Sequence, residues 1–180
     1  LPFLFFLSKI FELSLILNKL NFVKKTKNIK LKKKSIPMII AIGNITVGGV
    51  GKTPLVISLI NSLKKSNFYP AVISRGYKSM IDNKNLEPKI VNDFSNYILY
   101  GDEPCLIFKR TRVPVCVGAN RKKSLSVLLK NYPNTNLVLL DDGFQQKNLI
   151  PDKKILVVDD RFFGNNHCLP YGPMREKMAN

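Results

Sequence analysis

The sequence predicts an α/β protein with a mostly parallel sheet flanked by helices, of the phosphate-loop nucleotide-binding type and preceded by an amphipathic N-terminal helix. Three observations carry this. Apolar runs of strand type recur at 38–42, 70–74, 113–117, 136–140 and 154–158, and the continuous run at 136–140 is of the type buried on both faces. Runs with helical character separate them, at 52–63, 105–111 and 121–130. The first strand and helix are joined by a glycine-rich turn that ends in Gly-Lys-Thr.

An 11-residue run of polybasic character separates the N-terminal segment from this pattern. Residues 1–23 are mostly apolar, and their charged residues Lys9, Glu12 and Lys19, with Ser8, gather on roughly a third of a helical wheel at about 100° per residue. An amphipathic helix lying in a membrane interface is the expectation, with a full span or a helix packed on the protein's own core as alternatives. No secretory pattern fits, because the positive charge follows the apolar run. The chain carries 29 Lys+Arg against 12 Asp+Glu, and the excess is concentrated in KKTKNIKLKKK, which includes Lys24, Lys25, Lys32, Lys33 and Lys34. A lysine cluster beside an apolar helix suits an anionic membrane surface. Nucleic acid is not expected as a partner, since its readers more often spread charge over a folded face with aromatics; a compositional bias toward Lys, Asn and Ile explains part of the excess. Cys105, Cys116 and Cys168 form no CxxC pair and predict neither a disulfide framework nor a zinc site. A reducing cytoplasmic side follows.

Residues 46–53 are the expected nucleotide cradle: Thr46, Val47, Gly48, Gly49, Val50, Gly51, Lys52 and Thr53. Glycines let several backbone N–H groups converge on one anion, the lysine brings a point charge to the β/γ-phosphates, and the threonine hydroxyl is a magnesium ligand. The helix that follows adds the partial positive charge of its N-terminus. Thr46 stands where the usual pattern has glycine.

Further along, the second strand ends in Ser74-Arg75-Gly76-Tyr77, at the strand end where open α/β sheets bind ligands; an ordinary turn reads equally well. Residues 78–97 are polar and are expected to be a mobile excursion with a short strand at 89–91. Asp102 precedes the helix at 105–111, where an N-cap is its ordinary meaning. The apolar run at 136–140 ends in Asp141-Asp142. Two adjacent acids at a strand end are costly unless a cation sits beside them, so both are expected to hold Mg²⁺.

Five blocks, GNITVGGVGKTP (43–54), SRGY (74–77), GDEP (101–104), DDGFQ (141–145) and LPYGPMRE (169–176), together resemble the tetraacyldisaccharide 4′-kinase family of lipid A synthesis. The resemblance spans about 140 residues, the family tolerates a non-glycine at Thr46, and the apolar, basic start is similar to the family's own. It implies ATP and Mg²⁺ as cofactors and phosphorylation of the 4′-hydroxyl of a lipid-linked glucosamine disaccharide, at the cytoplasmic face of a Gram-negative inner membrane. It further implies Lys52 at the transferred phosphoryl group, and Thr53, Asp141, Asp142, Gln145 and Glu176 around the metal and nucleotide. Asp102 becomes the base for the sugar hydroxyl, and Arg75 a substrate contact.

Gln146 and Pro151 depart from the family's histidine and arginine, and His167, the single histidine, lies outside the family's catalytic position. The family continues into a second domain past the Arg-Glu block, so residues 35–180 are expected to be its kinase domain alone, binding nucleotide weakly and transferring phosphate poorly. The alternatives are a membrane-associated ATPase switch of the partitioning type, which VGGVGKT resembles but for Val47 in place of a lysine, and an inactive nucleotide-binding fragment. Oligomeric state and acyl pattern are not legible.

Overall fold

The computed structural model describes residues 2–12, 37–77, 79–82, 86–144 and 149–176. The chain divides into two compact units: Ser35–Gly43 with Gly51–Ile155, and Leu1–Lys34 with Asn44–Val50 and Leu156–Asn180.

The first unit is the sheet. Its elements are β1 (Met38–Gly43), α2 (Lys52–Lys65), β2 (Pro70–Ser74), β3 (Lys89–Ile90), α3 (Tyr97–Tyr100), α4 (Asp102–Thr111), β4 (Val115–Val117), α5 (Arg121–Asn131), β5 (Leu137–Asp141) and β6 (Lys153–Leu156), with α1 reserved for the helix at residues 2–12. The strand order is β3-β4-β2-β5-β1-β6. Strands β1, β5, β2 and β4 run parallel, with Ala41 opposite Leu140 and Val72 opposite both Leu139 and Val115. The short β3 is antiparallel to its neighbour β4. The expected α/β class therefore stands.

Strands β2, β4 and β5 are buried at every position, as strands with helices on both faces must be. Alternate residues supply two cores. Ile39, Ala41, Ala71, Ile73, Val138 and Leu140 form one with Leu128 of α5 and Leu149. Ile42, Val72, Leu137 and Leu139 belong to the opposite set and are as fully buried; α2, with Val56 and Ile60 buried, and α4, with Ile107 buried, pack on each other over that side. Leu55, also on α2, is exposed. At the β1 edge Asp152 closes the ladder from both of its ends: its Oδ2 accepts from the Ile39 N–H at 2.7 Å and its own N–H donates to the Ile39 carbonyl at 2.8 Å.

The second unit holds α1. Two of its polar residues are turned inward: Ser8 is fully buried, with its hydroxyl donating to the Phe5 carbonyl at 2.8 Å, and the half-buried Glu12 pairs with the exposed Lys9 at 3.3 Å. Phe3 is 70% and Phe6 62% exposed. Phe5 stands edge-on to His167 and Tyr171, with centroids 5.4 and 5.5 Å away. Residues 13–36, with Lys24, Lys25, Lys32, Lys33 and Lys34, lie outside the described residues. Among those described, no helix is long and apolar enough to cross a membrane.

Candidate functional site

β1 delivers the chain to the glycine-rich loop, and its last residue, Gly43, is wedged against Phe144. A Cβ there would lie 2.7 Å from the Phe144 ring, so the end of β1 is pressed onto the turn that follows β5. Residues 44–50 then run beside the stretch 161–175 of their own unit. The Arg175 N–H donates to the Ile45 carbonyl at 2.6 Å, Thr46 bridges Met174, and the Val47 N–H donates to the Pro173 carbonyl at 2.8 Å. The Asn44 side-chain amide adds a bond to the Thr46 carbonyl at 2.7 Å. Gly48 has φ +117 and Gly51 φ +77, backbone angles that a side chain resists.

Gly51 is the N-cap of α2, which has no side-chain cap and no acid in its first turn. A helix start of this kind suits an anion. Lys52 and Thr53 are the first helical residues, as the motif requires. Lys52 Nζ lies 3.3 Å from Asp142 Oδ1, so the loop lysine and the second acid of the DDGF turn meet directly. Asp142 takes a left-handed φ of +53 to do so.

Asp141, at the end of the central strand β5, is 1% exposed. Its Oδ2 accepts from the Ser74 hydroxyl at 3.2 Å, while Oδ1 has no hydrogen-bond partner among the described residues. Burial, with the Glu103 and Asp142 carboxylates adding to it, pushes its carboxyl up to about 6, against the opposing pull of Ser74 and Lys52. A buried carboxylate with one oxygen unspent and a second acid at the next position fits a hard cation. No three His, Cys, Asp or Glu gather into a metal cluster among the described residues.

Two residues that sequence reasoning left without a role support this acid. Arg121, 2% exposed, donates to the Gly118 carbonyl at 2.6 Å and to the Asp141 carbonyl at 3.4 Å, tying the ends of β4 and β5 together. Ser74 supplies the one hydroxyl on Asp141. Neither carries a local signal, since an arginine at a helix start and a serine at a strand end are common in any sequence.

β2 ends beside them in Ser74-Arg75-Gly76. Gly76 has φ +71, and a Cβ would meet Val117 Cγ1 at 2.5 Å and the Tyr100 carbonyl at 2.8 Å; a Cβ at Gly101 would in turn lie 3.3 Å from Gly76 Cα. That close approach sets the start of α4 against the β2 turn. Asp102 is the first helical residue and is exposed; the N-cap is Gly101, with no side-chain cap bond, so Asp102 is not the cap that its spacing suggested. Glu103, its neighbour, is close enough to bear on Asp141. Within the sheet unit, then, Gly51, Lys52, Thr53, Arg75, Asp102, Asp141 and Asp142 all sit at strand ends or at the helix starts that follow them. Thr46–Val50 and the half-buried Glu176 belong to the other unit, and Gln145 lies outside the described residues.

A profile of the tetraacyldisaccharide-1-P 4′-kinase family matches residues 1–180. The tetraacyldisaccharide 4′-kinase of Pasteurella multocida is 45% identical over 139 residues, covering 77% of this chain and 42% of that protein. The enzyme of the same name from Wigglesworthia glossinidia brevipalpis is 44% identical over 176 residues, covering 97% and 45%. A crystal structure of LpxK from Aquifex aeolicus in complex with ATP superposes with a TM-score of 0.76 at 31% identity, covering 94% of this chain and 52% of that one. The chain thus spans less than half the length of these curated relatives.

Proposed function

The chain belongs to the tetraacyldisaccharide-1-P 4′-kinase family, and from that premise we propose that it forms the nucleotide-binding part of an ATP-dependent kinase whose acceptor is the 4′-hydroxyl of a lipid-linked glucosamine disaccharide. The observation that carries the reading is the meeting of Lys52 with Asp142 beside the buried Asp141, at the mouth of a helix whose first amides have no side-chain cap. Such a group has one economical use, the holding of a polyphosphate and its cation.

In this reading Thr46–Thr53 cradle the phosphates and Lys52 leaves Asp142 for the β/γ-phosphates. Thr53, Asp141 and Asp142 hold Mg²⁺, with Gln145 and Glu176 completing the surroundings, and the ion when bound neutralises charge on the phosphates. Burial raises the Asp141 carboxyl to about 6, and a cation held beside it would favour the carboxylate over the residual neutral form. Asp102, exposed at the start of α4, accepts the proton of the 4′-hydroxyl as its oxygen bonds to the γ-phosphorus and ADP departs. Arg75 reaches the substrate from the neighbouring strand end. Residues 1–34 form the membrane-interface segment, with the exposed Phe3 and Phe6 entering the lipid and the lysine run meeting anionic headgroups at a cytoplasmic membrane face. Residues 35–180 are the kinase domain. The partitioning-type switch gives way to the family assignment.

Phosphoryl transfer from ATP to the acylated disaccharide, in a protein of the relatives' full length, tests this. Asp102→Ala should lower turnover by about 100-fold or more while leaving Mg·ATP binding within about twofold, since Asp102 faces no phosphate in the proposed scheme. Unchanged turnover would remove Asp102 from the role of base.

A further inference from the structure

The loop residues that precede Lys52 are held by a side chain with no assigned role. Arg161 wraps back onto Asp159: its backbone N–H donates to Asp159 Oδ1 at 3.1 Å, its Nε to Oδ2 at 2.9 Å, and its Nη2 to the same oxygen. The same Nη2 donates to the Gly49 carbonyl at 3.3 Å. The guanidinium also covers Gly48, where a Cβ would lie 3.4 Å from Nη2 and 3.5 Å from Nη1. Thr46, Val47, Asp159, Arg161, Phe162, Gly164 and Pro173 together line a small cleft of about 170 Å³.

We propose that Arg161, oriented by Asp159, is a positioning residue for the phosphate loop. In a trans peptide the C=O and the following N–H point to opposite sides of the chain. Tying the Gly49 carbonyl to Arg161 therefore directs the Val50 N–H away from Arg161. Upstream, the Val47 N–H is already committed to Pro173, so the amides left to meet a phosphate are those of the Gly48–Gly51 stretch. Glycines at 48, 49 and 51 leave that stretch free to rotate, and the usual first glycine is replaced by Thr46, bridged to Met174. Thr46 and Val47 are thus held by backbone bonds and Gly49 by a side chain. A planar fork is suited to this bridge because one guanidinium satisfies a carboxylate and a carbonyl together, whereas an ammonium is a single point charge.

This inference rests on the nucleotide reading, and the test separates the two. Binding of Mg·ADP and Mg·ATP to the chain is measured by calorimetry for the parent, Arg161→Ala, Arg161→Lys, Asp159→Asn and Lys52→Ala, with a thermal melt for each. A side chain that sets loop geometry acts on the β-phosphate cradle, so Arg161→Ala should raise Kd about tenfold for ADP and ATP alike, the scale of a lost charge-assisted hydrogen bond. Arg161→Lys should not rescue it, and Asp159→Asn should weaken both nucleotides in the same direction. Loss of ATP affinity with ADP unchanged would mean that the guanidinium contacts the γ-phosphate and would overturn the proposal. So would tighter binding by Asp159→Asn, which would mean that Asp159 withholds the arginine, or full rescue by lysine. If Arg161→Ala fails to fold, Arg161→Lys and Asp159→Asn carry the comparison. Should Lys52→Ala bind as well as the parent, the nucleotide reading itself fails; should Lys52→Ala lose binding while every Arg161 and Asp159 variant keeps it, only the positioning role fails.

Discussion

Replacing Asp141 by Asn should make the protein more stable in the absence of nucleotide and metal, with a pH dependence that identifies the cause. The carboxyl stands at about 6 in the folded chain against an ordinary 3.8, so folding favours its neutral form. A carboxyl raised in this way contributes stability that is full below about 3.8 and lost as the pH rises through about 6. The shift is worth about 3 kcal/mol at about 1.4 kcal/mol per unit. Asparagine keeps the shape and can still accept the Ser74 hydroxyl, and it has no charge to bury. The variant should therefore exceed the parent by about 3 kcal/mol at pH 8 and by about half of that at pH 5, where the parent carboxyl is mostly protonated. Urea unfolding of both proteins at the two pH values, in chelator, measures the gap. Addition of Mg·ATP should reverse the order, because only the carboxylate can pair with the cation. A gap at pH 8 that is absent, or one of equal size at pH 5, would refute the account of Asp141 as a buried acid held ready for a cation.

Two further outcomes follow from geometry described above. Gly76→Ala must place a Cβ 2.5 Å from Val117 Cγ1 at a φ of +71, and overpacking with left-handed strain should cost about 3 kcal/mol, read as a fall in Tm of about 6–12 °C; a fall of under a degree would mean that the β2 turn and α4 are not in close contact. Binding to vesicles with anionic lipid should weaken as salt is raised and should be lost on removing residues 1–34, or with the pair Phe3→Glu and Phe6→Glu; binding unchanged by these would sink the interface role of α1.

The parts of this structure that were legible in the sequence are those written locally. The glycine loop between β1 and α2 is specified by adjacent residues, and the apolar run of β5 ends in its acids within one strand, so pattern alone located both. The bounds of β1, β2 and β4 lie within one or two residues of the expected runs, because buried parallel strands need unbroken apolar stretches, while β6 lies as close to its run although it is mostly exposed. The four-residue α3 escaped notice because one turn shows no period. The face of α1 was read from the wheel without knowing what it packs on: Ser8 is on the polar side, yet it is buried. Arg121 on the Asp141 carbonyl and Arg161 on the Gly49 carbonyl join residues 20 and 112 positions apart, and no spacing rule connects an arginine to a carbonyl that any residue could supply. The role of Asp102 was likewise carried by family resemblance, with its spacing suggesting a cap that Gly101 provides.

The place of β5 in the sheet also governs the order in which the protein can come into being. β1 and β2, made first, are not neighbours, and each lies against β5, the fifth strand in the chain. While the chain is being synthesised from its N-terminus, the strand that leads to the phosphate loop has no partner until Leu137–Asp141 has emerged, roughly a hundred residues later. The residues that close the sheet end in Asp141, so a chain that stalls before this point has neither a paired β1 nor the buried acid. Proteases and chaperones should therefore meet an all-or-none species, in which a nucleotide site half built on a finished fold is not an intermediate the topology permits.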